Sequence, residues 1–186
     1  MKRGFKAEAQ RKSIAIRTDL GINHYEALDC FKLVESLGIA IFPVEKIGEF
    51  GLTTEQIHTI CYAKGKQEFS ATTISVPFGH LIIYNQTHSF ARTNSSIAHE
   101  VSHVILKHEF SSISDMKEVS REFDQGKEDE ANWMAGCLLL PEDGLVWALK
   151  RNMTIQNIAD HFCISKQMAT WRYNATGMMN RIGYFR

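Results

Sequence analysis

The chain has 186 residues, 44% of them apolar and 23% charged, which suits one domain with a real hydrophobic core and no need of disulfide staples. Low-complexity stretches and internal repeats are absent, which removes disordered and solenoid architectures. The net charge is zero, which argues against a general nucleic-acid binder, because phosphate contacts need a basic surplus.

The charge is unevenly spread. Residues 1–17 and 150–186 each carry six basic side chains against one acid, so the middle holds the compensating acidic surplus. Solvated helix faces account for such patches as well as an acidic partner does. No run approaches the roughly 18 apolar residues of a membrane span. The first ten residues are charged and lack the apolar stretch of a secretory signal. Cys30, Cys61, Cys137 and Cys163 are scattered without CxxC spacing and read as reduced thiols. A cytoplasmic protein with no membrane partner is expected.

In chain order, residues 5–20 are helical in pattern and stop at Gly21. Asn23 can cap a second helix over 24–37, with Ala27, Leu28, Phe31, Val34 and Leu37 at helical spacing and Gly38 at its end. The apolar run 39–42 before Pro43 predicts a strand. Residues 57–63, 68–76 and 80–84 are β-branched or aromatic-rich. Lys64-Gly65-Lys66 and Pro77-Phe78-Gly79 between them signal turns, so a small, mainly antiparallel meander is expected. From about Thr93 the period becomes helical, with Ile97, Ala98, Val101, Val104, Ile105 and Leu106 on one broad stripe. Residues 111–126 are polar and poorly patterned and predict an irregular segment. A second strong helix covers 128–140 and stops near Pro141, which can open the next. Short helices follow at 154–161 and 165–176. Helices, small sheet, helices: the expected class is α+β.

On the first long helix of this second half, His99-Glu100-Val101-Ser102-His103 spells HExxH. Four-residue spacing puts both imidazoles on one face about a turn apart, so both can reach one metal ion. Glu100 is rotated by one residue, towards a water on the metal instead of the ion itself. Alone, so short a string can arise by chance on a surface helix. A catalytic zinc needs a third protein ligand and an open position. A histidine six residues after His103 is excluded, since Glu109 stands there, and His108 is one residue short and on the same helix. A glutamate from the second helix fits better. Glu128 and Asn132 share a face and can supply one ligand and one amide that orients a ligating imidazole. Glu130 lies about 200° round from Glu128. The plainer reading of these acids is that they only complement the helix dipole.

Residues 82–141 resemble the ImmA/IrrE family of zinc metallopeptidases. The matching elements are Tyr84-Asn85 ending a strand, Arg92 before the motif, Ala98 with the HExxH string, Glu128-Asp129-Glu130-Ala131-Asn132, and Leu138-Leu139-Leu140-Pro141. Met134, Leu140 and Ser102 stand where the family commonly has Phe, Met and Gly; these are packing changes that remove no ligand. The resemblance implies His99, His103 and Glu128 as zinc ligands and Glu100 as the catalytic acid/base. It implies an α+β fold in which a small sheet packs on a zincin-like pair of active-site helices, with a small helical C-terminal segment. The expected division is a zinc metallopeptidase domain over 1–150 and a helix-turn-helix-like segment over 151–186. The implied activity is endopeptidase cleavage of a helix-turn-helix transcriptional repressor, which relieves repression.

Tyr84, His88 and Arg92 precede the motif helix and are candidates to stabilise an oxyanion. Two other classes of function compete. Ile158–Ser165 in a basic tail looks like the start of a DNA-binding helix-turn-helix, although a helical pair packed through Met168 and Trp171 explains it as well. A metal sensor without catalysis keeps the ligands but has no use for Glu100.

Overall fold

A computed structural model describes residues 1–50, 53, 69–77, 79–110 and 124–178; at 47, 49 and 50 only the backbone is described. Helix α1 (Phe5–Asp19) closes on Gly21, whose φ of 70° is the left-handed cap that glycine adopts at least cost. Helix α2 (Cys30–Ser36) is shorter than its apolar spacing predicts. Arg17 explains why. Its Nη2 takes the carbonyls of Asn23 and Glu26, which a helix starting at His24 would need for its own ladder. The capping role passes to Asp29, which accepts the amide of Phe31 at 2.9 Å.

Strands β1 (Ala40–Pro43), β2 (Ala71–Val76) and β3 (Gly79–Tyr84) form a sheet of order β1-β3-β2. It is mixed: β3 runs antiparallel to β2 and parallel to β1. The strand expected over 57–63 lies outside the described residues. Register pairs Thr73 with Ile82 and Thr72 with Ile83. By alternation, Thr73 and Ile82 face the motif helix, while Ile74 and Ile83 turn to a smaller cluster with Phe69 and Leu81.

Helix α3 (Phe90–Ile105) carries the HExxH string and is capped by Ser89. Helix α4 (Gln125–Leu139) starts three residues before its apolar pattern does, because Asp124 accepts the amides of Gly126 and Lys127 at 2.8 and 3.3 Å. Of the irregular segment expected over 111–126, residues 111–123 lie outside the described residues, and at its end the expectation fails, since Gln125 and Gly126 already belong to α4 behind the Asp124 cap. Then come α5 (Glu142–Leu149) after Pro141, α6 (Ile155–His161) behind a Thr154–Asn157 capping box, and α7 (Lys166–Ala175) behind Ser165. The class is α+β, with seven helices among the described residues. None of them is long and apolar enough to cross a membrane.

Helix α4 is the axis of the core, packed between α1 and α3. Every residue from Trp133 to Leu140 is buried. A buried helix end needs partners for its last carbonyls. Two guanidiniums supply them: Arg17 Nη1 donates to Leu138 O at 2.7 Å and Arg172 Nε to Leu140 O at 3.0 Å. Arg172 approaches so closely that a Cβ on Gly136 would stand 3.0 Å from its Cδ and 2.7 Å from the Trp171 ring. Asn94 of α3 adds a cross-tie, bonding to the Cys30 amide and to the carbonyls of Leu28 and Cys163. Ile158, Phe162, Ile164 and Ala169 of the C-terminal helices belong to the same buried cluster as α3 and α4.

Candidate metal centre

Helical spacing on α3 and the first turn of α4 bring three donor side chains to one point. His99 Nε2 and His103 Nε2 are 3.2 Å apart. Glu128 Oε2 lies 3.2 Å from the first nitrogen, and Oε1 lies 3.7 Å from the second. Donors held tetrahedrally about 2.0–2.2 Å from one ion sit roughly 3.3–3.6 Å from each other. The observed separations, 3.2, 3.2 and 3.7 Å, fall within about 0.1 Å of that range, with Glu128 meeting the two imidazoles through different oxygens. Two imidazole nitrogens and a carboxylate crowded this closely repel one another unless a cation or shared proton lies between them. The group therefore has the spacing and chemistry to hold a metal ion, and the expected trio is brought together.

Asn132 sits one turn after Glu128, as the shared face requires, and its Oδ1 is 3.0 Å from His99 Nδ1. An acceptor there keeps the proton on Nδ1 and leaves Nε2 with its lone pair towards the cluster. Glu100 is turned out of the donor group and is only 4% exposed. Its Oε2 accepts a 2.8 Å hydrogen bond from Thr73 Oγ1 on β2. A buried carboxylate without such a donor would carry a large desolvation cost.

Sequence reasoning did not find Thr73, nor the surroundings of His103. His108 is not a fourth member of the donor group. It stands behind His103, Nδ1 to Nδ1 at 2.9 Å, with Glu130 Oε2 3.6 Å from its Nε2. Burial pushes the His108 imidazole below its ordinary pKa, and Glu130 opposes that shift. Phe110 lies against both His80 and His103, at ring separations of 4.9 and 6.3 Å. Of the oxyanion candidates, Tyr84 packs edge-on against Phe31, Arg92 donates to Ser70 Oγ at 3.2 Å, and His88 sits beside Asn85.

A family model described as the IrrE N-terminal-like domain, a peptidase family, matches residues 34–174. The chain belongs to this family. Its membership supports a metallopeptidase, and the match spans the sheet, both metal-site helices and α5 to nearly the end of α7. No curated protein matches the chain significantly.

Proposed function

We propose that this chain is a zinc-dependent endopeptidase of the cytoplasm that cleaves a helix-turn-helix transcriptional repressor and so relieves repression. The observation that carries the chemistry is the convergence of His99, His103 and Glu128 at tetrahedral edge distances beside a buried glutamate. Two imidazoles and one carboxylate are the donor set of many catalytic zinc sites. When bound, zinc supplies the Lewis-acid chemistry that acidifies a water and polarises a peptide carbonyl. The chain's own residues handle the protons. Thr73 holds Glu100 by Oε2, which leaves Oε1 as the oxygen that would take a proton from the attacking water and deliver it to the leaving amine. Asn132 keeps His99 in the tautomer whose Nε2 lone pair is available.

The substrate class rests on the family resemblance of the HExxH and Glu128–Asn132 motifs. Residues 1–150 act as the peptidase body. Of the C-terminal segment 151–186, the described part, 151–178, is helical and packs on it, a reading supported by the shared burial of Ile158, Phe162, Ile164 and Ala169.

The test pairs metal content with cleavage. Purified protein should hold one zinc per chain and cut the repressor encoded beside its gene, and a chelator should stop the cutting. Glu100→Gln should keep the zinc and lose cleavage by a factor of about a thousand or more. Cleavage at the wild-type rate by that variant would remove Glu100 from the mechanism.

A further inference from the structure

The proton on His103 has to sit on the correct nitrogen, and the neighbouring side chains decide where it goes. We propose that His108 and Glu130 act as an outer pair that fixes the tautomer of His103 and so presents its Nε2 lone pair to the metal. This rests on the zinc-site reading above.

The arrangement begins with the backbone. Leu106 closes α3, and Lys107 turns left-handed at φ 58°. The amides of Lys107 and His108 return to the carbonyls of Val104 and His103, each at 3.0 Å. These two bonds define a Schellman cap, which usually recruits glycine at the position held here by lysine. The turn folds His108 back over the residue whose carbonyl it has just bonded, and the two rings meet edge to face at 5.0 Å.

Two Nδ1 atoms at 2.9 Å are at hydrogen-bond distance, so one ring must donate and the other accept. If His108 donated, His103 would carry its own proton on Nε2, aimed at His99 and Glu128, and a cation could not bind there. Glu130 breaks the tie. Its carboxylate faces Nε2 of His108 at 3.6 Å and favours a proton on that nitrogen, which leaves Nδ1 of His108 as an acceptor. The proton between the rings then belongs to His103 Nδ1, and its Nε2 is bare. His99 receives the same service from Asn132. Each ligand imidazole thus has its own acceptor behind it, and α4 supplies or backs both.

The experiment measures zinc affinity by chelator competition and the His103 tautomer by nitrogen-15 NMR of histidine-labelled protein. His108→Phe, which keeps a ring in place, and Glu130→Leu should each weaken zinc binding roughly 10–100-fold. In both variants the His103 signal should move from the Nδ1–H form to a mixture of tautomers. Glu130→Gln retains an acceptor oxygen and should stay within a few-fold of wild type, a rescue that packing alone would not produce. Wild-type affinity and an unchanged His103 tautomer in both disruptive variants would overturn the inference. Failure of the wild-type protein to bind zinc would instead bring down the functional reading, while the tautomer measurement would still decide this one.

Discussion

The two ends of helix α4 are built to opposite rules. Its first turn is half-exposed and acidic, with Glu128 turned to the donor group and Glu130 to His108. Its last turn is buried and meets two arginines, which take the carbonyls of Leu138 and Leu140. Both arrangements suit the helix dipole, acids at the amino end and cations at the carboxyl end. Their purposes differ. The proposed ion would need the accessible end, whereas the position of that end is set by the buried, hydrogen-bonded one. Burial pushes Arg17 down to about 10, which still leaves it charged near neutral pH.

If that division of labour is correct, damage at the two ends should separate cleanly. Glu128→Ala should abolish stoichiometric zinc binding while shifting the metal-free protein's unfolding free energy by less than about 1 kcal/mol, as for a half-exposed carboxylate. Chelator competition and urea unfolding read the two quantities, and a large loss of metal-free stability would break the comparison. Arg172→Ala is the mirror case. It orphans the Leu140 carbonyl and empties a fully buried volume, so it should cost about 3 kcal/mol or more by the same unfolding assay. A variant that unfolds normally and loses only zinc would contradict the assignment of that end to structure. The smallest effect is expected at Lys107→Gly, which relieves the left-handed backbone at the end of α3. Thermal unfolding should show a gain of about 1 kcal/mol.

Much of the centre was legible because its logic is local. His99 and His103, and then Glu128 and Asn132, are pairs one turn apart, and helical periodicity alone puts each pair on one face. The helices α6 and α7 were legible for the same reason, as short helical patterns, and the structure adds Thr154 and Ser165 as their caps. What escaped depends on contacts distant in sequence or on unusual backbone. Thr73 reaches Glu100 only because the register of β2 against β3 turns it towards α3, and a threonine in a strand carries no mark of that. The spacing starts α2 too early because Arg17, on another element, takes the carbonyls of a helix that the spacing allows. His108 was visible as a histidine but not as the neighbour behind His103, since nothing announces a lysine in a glycine conformation.

Arg172 also bonds Gln10, 162 positions away in the chain, as well as Leu140 and the Cys137 thiol. In kinetic terms, one guanidinium ties α7 to the end of α4 across 32 and 35 positions and to α1 across 162, the last among the longest closures between described residues. Helix α3, with two of the three donors, can form from local contacts, whereas the third donor rides on a helix whose packing on α1 needs contacts distant in sequence. If the trio holds zinc as proposed, the rate at which it gains that ability during refolding should follow closure of these distant contacts instead of helix formation.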